Sequence, residues 1–297
     1  MERRTERPVL GVVPYFHDIW IEEEDALPSR AVIEPEGRIR ISVVKLPHMS
    51  NFTDFDPLQK EPGVVLEYVG HPHALEASEL IILPGTKNTI ADLTYLRQSG
   101  LAEAIVRAAH SNVPVIGICG GYQMLGQSIT DAGFESSQTT VEGLGLLDMK
   151  TTFCGDKITA RVKARPLGAV DLICSSASEI TGYEIHMGQS HLEVGSRPAF
   201  EIITRNNNRM STKDGAVSQD GLVLGTYLHG LFDNASVRED LLKYLRDKTC
   251  KNGPSQEREP LCGQDIDSLR ETELDRLADL VRSNLDMDAF FAIAGRS

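Results

Sequence analysis

The chain has 297 residues, enough for one large or two modest cores, and its 41% hydrophobic and 25% charged content is ordinary for a globular protein. A formal charge of -13, with lysine and arginine spread thinly, argues against a surface for nucleic acid or anionic membrane. No apolar run approaches a membrane span, and Met1 to Pro8 is charged where a secretory leader turns apolar.

Val9 to Pro14 is a short strand-like run, followed by an acidic segment, Tyr15 to Asp25, that holds the single tryptophan. Ile39, Ile41 and Val43 alternate as in a strand ending at Leu46 and Pro47. His48 to Pro57 is a polar and aromatic loop with the Asn and Asp that suit turns. His71 and His73 flank a proline without a nearby Cys or carboxylate cluster, so they read as loop and no metal is expected. Val64 to Val69 and Leu80 to Leu83 are further apolar runs, the second leading into a Pro-Gly loop, Pro84 to Thr89. Such a loop either presents backbone N–H groups or simply turns strand into helix, and both readings stay open. Ile90, Leu93 and Leu96, then Leu101, Ile105, Ala108 and Ala109, predict two helical pieces broken at Gly100.

Val113 to Ile118 is a covered strand by length and composition, and Gly117, Gly120 and Gly121 bracket Cys119 in a Gly-x-Cys-x-Gly elbow. Met124, Leu125, Ser128 and Ile129 then recur at helical spacing. Cys119 is therefore expected at a helix N-terminus, where the dipole and free N–H groups favour a thiolate and can hold an oxyanion. The competing reading is a small core residue in a tight turn. The five cysteines, 119, 154, 174, 250 and 262, include no Cys-x-x-Cys pair and read as reduced thiols of a cytoplasmic protein. Strand, loop, helix, strand, elbow, helix is the alternation of a doubly wound sheet, whose ligands lie beyond the carboxyl ends of the strands.

The segment from Asp131 to Gly145 is turn-rich, and β-prone runs follow at Lys157 to Lys163, Phe200 to Thr204 and Leu222 to Leu228. Ser236 and Glu239 match a capping box opening a helix with Val237, Leu241, Leu242 and Leu245 on one face. Residues 250 to 265 read as a linker, and Leu274, Leu277, Val281 and Leu285 mark a C-terminal amphipathic helix.

A thiol nucleophile needs a base active near neutral pH, which makes histidine the first choice. His229 ends a predicted strand between Gly225 and Gly230, so it can emerge at the same sheet edge as Cys119. His186, framed by Gly182 and Gly188, is the rival.

Gly11 to Tyr15, Glu24 and Asp25, Leu46 and Pro47, Ser50 to Pro57, Leu83 to Thr89, Gly117 to Gln123, Gly182 to Gly188 and Tyr227 to Phe232 together make the sequence similar to the glutaminase half of the cobyric acid synthase family, within the class I glutamine amidotransferases. The resemblance implies an α/β fold: a three-layer, doubly wound, mostly parallel sheet with a flavodoxin-like core and an extra β-rich second half. It implies that Cys119 attacks the side-chain amide of glutamine, giving a γ-glutamyl thioester and ammonia, while His229 moves protons. Backbone N–H groups near Gly85 and Gly120 would form the oxyanion hole, and Gln123 would help to hold the substrate. Tyr183, Glu184 and His186 match a family motif and join the site as additional candidates. Triad enzymes typically continue His-x-Glu, but Gly230 and Leu231 follow His229. This leaves a Cys-His dyad or a carboxylate supplied elsewhere, with Glu184 as a candidate.

No Gly-x-x-x-x-Gly-Lys-Ser/Thr phosphate loop occurs. The resemblance then implies that residues 1-30 are the tail or linker of an ATP-dependent synthetase domain, 31-250 the glutamine amidotransferase domain, and 251-297 a linker and C-terminal helix. ATP, magnesium and the corrinoid are expected on that synthetase partner, fused or separate, with glutamine as substrate and no cofactor on this chain. The ammonia would serve amidation of adenosylcobyrinic acid a,c-diamide in cobalamin biosynthesis. A glutaminase subunit that amidates cell-wall lipid intermediates and a stand-alone Cys-His γ-glutamyl hydrolase share the elbow. The Ser50 to Pro57 motif and the segment before it favour the cobalamin branch.

Overall fold

The apolar runs of the first half become parallel strands in the computed structural model, which describes residues 2–16, 19–20, 38–135, 139–155, 157–168, 172–173, 179–250 and 265–295. β1 (Ile39–Val44), β2 (Val64–Val69), β3 (Leu80–Leu83) and β4 (Val115–Ile118) are almost wholly buried, as strands covered on both faces must be. The chain continues through β5 (Ser128–Asp131), β6 (Thr139–Glu142), β7 (Met149–Thr152), β8 (Ile158–Pro166), β9 (Ile180–His186) and β10 (Gln189–Leu192). β11 (Ser196–Arg197), β12 (Phe200–Arg205), β13 (Asn208–Asp214), β14 (Ala216–Ser218), β15 (Val223–Thr226) and β16 (Leu228–His229) complete the strands. The helices are α1 (Glu2–Thr5), α2 (Asp56–Lys60), α3 (Thr89–Gln98), α4 (Leu101–His110), α5 (Gly120–Leu125), α6 (Ala235–Cys250), α7 (Ile266–Asn284) and α8 (Met287–Ile293).

The main sheet runs β11-β14-β15-β4-β3-β1-β2. Its strands β2, β1, β3, β4 and β15 are parallel and follow the 2-1-3-4-5 order of a flavodoxin-like core, with β14 and β11 added antiparallel. A four-stranded sheet, β10-β7-β5-β6, and a five-stranded sheet, β13-β12-β8-β9-β16, form the β-rich second half. The protein is thus α/β, with the loops after β1, β3, β4 and β15 gathered at one edge of the main sheet.

Two clusters of chain are distinguished, Met1–Glu22 with Gln264–Ser297, and Glu23–Gly263. In the first, the predicted strand at Val9 to Pro14 reduces to a single bridge between Gly11 and Leu285, and the Trp20 N–H donates to Glu273. Glu24, Asp25 and residues 251–264 of the expected linker lie outside the described residues.

Two local expectations are corrected. The helix after Cys119 stops at Leu125, because Gly126 turns extended and the Gln127 N–H donates to Met149 instead of up the helix. Ser128 and Ile129 consequently belong to β5, and their helical spacing was a coincidence of a short strand following a short helix. Ser236 falls inside the first turn of α6 and not at its cap, since the turn starts from the Asn234 carbonyl, which accepts from Val237 and Arg238.

Gly225 explains how α5 lies so close to the sheet. A Cβ at this position would stand 2.0 Å from the Tyr122 ring, which is 1% exposed and packs against β15. Gly225→Ala is therefore expected to destabilise the fold by about 1 to 3 kcal/mol, the usual range for overpacking. Urea unfolding followed by circular dichroism checks this, and an unchanged midpoint would show that Tyr122 has room to move.

Candidate active site

Cys119 caps β4 and precedes α5 with φ 51° and ψ -109°, a left-handed conformation rare outside glycine. The strain is held by its neighbours: the Cys119 N–H donates to Thr226 of β15, and its carbonyl accepts from Gln123 to open the helix. The thiol lies 3.4 Å from the Ile185 carbonyl of β9.

His229 reaches the same place by a change of sheet. β15 pairs with β4, placing Thr226 opposite Ile118, and three residues later His229 pairs with Tyr183 of β9. Its ring is buried, stacks on Tyr183 at 5.1 Å and 15°, and places Nδ1 2.7 Å from Asp54 Oδ2. The other Asp54 oxygen accepts from the Gly230 N–H at 2.9 Å. Burial alone would lower the His229 pKa, but the Asp54 charge and hydrogen bond, with a further contribution from the Cys119 hydrogen bond, raise it from 6.5 to about 10. An imidazolium beside the thiol is favoured at neutral pH.

The Pro-Gly loop closes the other side. A side-chain carbon on Gly85 would lie 3.2 Å from His229 Cε1 and 3.6 Å from Cys119 Cβ, so the Gly85 backbone borders both residues. Its carbonyl accepts from the Ser50 N–H. The loop is anchored by buried Asp92, which accepts from the Thr86 hydroxyl and bonds His48 Nδ1 at 2.8 Å. Gly120 faces the same loop, where a Cβ would meet Thr86 Cγ2 at 2.5 Å. Backbone from Gly85 thus borders Cys119 in space, as Gly120 does in sequence.

Gln123 is 2% exposed and committed at both ends of its amide: Oε1 accepts from the Thr89 hydroxyl, and Nε2 donates to the Met187 carbonyl and the Tyr227 hydroxyl. Its side chain braces the shelf beside the elbow. His186 stacks on Tyr227 at 3.8 Å, and burial, with the Arg205 and His229 charges, lowers its pKa to about 4. It stays neutral and takes no part in the Asp54 pair.

Glu184 does not orient His229. Residues alternate across β9, so Tyr183 covers the imidazole while Glu184 points the other way, where Arg205 Nε donates to it at 2.9 Å. The orienting carboxylate is Asp54, which the sequence reading placed in a turn-forming loop without a role. Its signal lay in the Ser50 to Pro57 motif, where Asn51 also donates to the Tyr183 hydroxyl at 2.8 Å.

Comparisons with known proteins agree on this chain. The model of the CobB/CobQ-like glutamine amidotransferase domain matches residues 40–237. Cobyric acid synthase from Pelotomaculum thermopropionicum is 44% identical over 99% of the chain and 57% of its own length. The Photorhabdus laumondii protein of the same name is 45% identical over 98% of the chain and 56% of its own length. The chain therefore spans a little over half the length of these relatives. Among solved structures, a glutamine amidotransferase matches with TM-score 0.50 and 16% identity over 70% of this chain and 97% of that one. PurLQS from Thermotoga maritima matches with TM-score 0.52 and 20% identity over 70% and 99%. At such identities the structures speak for the fold alone.

A pH dependence follows from the His229–Asp54 pair. The folded-state pKa lies above the ordinary value, so the stabilisation is fully present below about pH 6.5 and is lost as pH rises toward about 10. The urea midpoint is expected to fall across that window. Asp54→Asn should move the His229 titration, followed by NMR, down toward 6.5 and flatten the fall. A titration that stays in place would remove Asp54 as the charge acting on His229.

Proposed function

The chain belongs to the CobB/CobQ-like glutamine amidotransferase domain family, and from that premise we propose that it is the glutaminase part of a cobyric acid synthase. The observation that carries the reading is the line of Cys119, His229 and Asp54 at one sheet edge, in a chain matched along 99% of its length by cobyric acid synthases.

In this proposal the Cys119 thiolate attacks the side-chain amide carbon of glutamine. The backbone N–H groups at Gly85 and Gly120 stabilise the oxyanion, a term worth about 3 to 4 kcal/mol per donor. The His229 imidazolium protonates the departing nitrogen, so ammonia leaves and a γ-glutamyl thioester remains. The neutral imidazole then takes a proton from water, which attacks the thioester to release glutamate and restore the thiolate. Asp54 keeps the ring in place and stabilises the imidazolium in both steps. Ammonia would pass to an ATP-dependent synthetase domain, which would hold ATP, magnesium and adenosylcobyrinic acid a,c-diamide. The cytoplasm suits these reduced-thiol chemistries, and no described helix is long and apolar enough to cross a membrane.

Glutamate release from glutamine, measured with the synthetase domain, ATP and the corrinoid present, tests the reading, with amide formation followed by mass spectrometry. Cys119→Ser is expected to lower release by at least about 10³-fold, and Asp54→Asn by about 10² to 10⁴-fold. Release by Cys119→Ser at the wild-type rate would dismiss the assigned nucleophile.

A further inference from the structure

Asp54 and His229 each belong to a short segment that runs on into a helix. Asp54 lies in the turn Phe52–Phe55, which continues directly into α2, and Glu61 closes that helix. His229 is followed by Gly230 in the left-handed region, by the turn Leu231–Asp233, and then by α6. The Asp54–His229 pair joins residues 175 apart in sequence. A second buried pair, Glu61 with Arg238, joins the same two segments across 177 residues.

Arg238 is the more deeply buried of the second pair, at 0% exposure against 5% for Glu61. Its Nε donates to Glu61 Oε1 at 2.6 Å, and its Nη1 donates to the Phe232 carbonyl at 2.7 Å and the Asp233 carbonyl at 3.0 Å. One rigid guanidinium thus grips both the turn behind His229 and the end of the helix behind Asp54. Phe55 and Leu58 on one segment, and Leu231 and Phe232 on the other, are completely buried, and the two turns are in contact. Segments packed in this way and clasped by an ionic contact at each end have little freedom to slide past one another.

A buried ion pair adds little net stability, because desolvating both charges offsets most of their attraction. Its geometric effect is larger. The 2.7 Å bond between His229 Nδ1 and Asp54 Oδ2 weakens steeply with distance and angle, so it depends on the two segments keeping their register.

We infer that Arg238 is a positioning residue for the active site: by tying the turn after His229 to the helix after Asp54, it fixes how the carboxylate meets the imidazole. It acts through these two residues, and its effect on rate rests on the glutaminase reading above.

Removing one partner would leave the other charge buried, so the first variant replaces both, Arg238→Met with Glu61→Leu. Arg238→Lys is the second; it keeps a charge opposite Glu61 but lacks the planar fork. Both are made in the full chain. Urea unfolding reports stability, an NMR titration of His229 reports the contact with Asp54, and glutamate release with the synthetase domain, ATP and the corrinoid present gives kcat and KM. The double variant is expected to lower kcat at least about tenfold with KM within about twofold of wild type. Its His229 titration is expected to move from about 10 toward 6.5, and Arg238→Lys to fall between the two. A folded double variant in which only the urea midpoint moves, with kcat and the titration those of wild type, overturns the inference. If the double variant does not fold, the same two readouts in Arg238→Lys decide it, and loss of folding in both variants overturns it by making the residue a structural one. A wild-type protein that releases no glutamate overturns the glutaminase reading instead, while the His229 titration still decides whether Arg238 positions the pair.

Discussion

Asp54 gives one carboxylate oxygen to the His229 ring and the other to the Gly230 backbone, tying the loop after β1 to the end of β16, 175 residues later. Both side chains are almost completely buried, at 1% and 2% exposure. Withdrawing a carboxylate and an imidazole from water is costly unless each finds its partner, and breaking a buried pair costs about 3 to 5 kcal/mol. Here the pairing also sets orientation. With Nδ1 held by Asp54 and one face covered by Tyr183, the imidazole keeps its position beside Gly85 and Cys119.

This arrangement depends on the chain changing sheets between Thr226 and Leu228. Asp214, at the end of β13, pins the change: it accepts from the Thr226 hydroxyl and from the Tyr227 N–H, while the Thr226 oxygen accepts from Leu228. Burial lifts Asp214 to about 7, the bond from Thr226 works against the rise, and the Glu184 charge adds to it. The group is therefore poorly solvated, and its hydrogen bonds to the switch compensate. Because Thr226 also receives the Cys119 N–H, the strained elbow and the strand that delivers His229 are fastened to the same residue.

Much of this was legible in the amino-acid order. The covered strands, the elbow at Cys119 and the emergence of His229 at the strand end follow from short-range pattern: apolar run length, bracketing glycines, position relative to a strand terminus. Asp54 was not legible by those means. Its partner is far away in sequence, and an Asp in a polar loop has the same local signature whether it caps a turn or holds an imidazole. The helix assigned through Ile129 failed for a related reason. The positions Met124, Leu125, Ser128 and Ile129 fit both a helical period and a helix followed by a strand, and only the contact with Met149 decides between them.

The motif from Gly182 to Gly188, whose role sequence alone left underived, divides along the two faces of β9. Tyr183 covers the His229 ring, and the Ile185 carbonyl stands near the Cys119 sulfur. On the opposite face Glu184 bonds Arg205, and His186 stacks on Tyr227. Just past the strand, the Met187 carbonyl accepts from Gln123, whose Oε1 accepts from Thr89. Because the faces of a strand cannot shift independently, the residues that set the imidazole and those that brace the Gln123 shelf are locked in register by one peptide segment. A substitution on either face of β9 is thereby transmitted to both sides of Cys119.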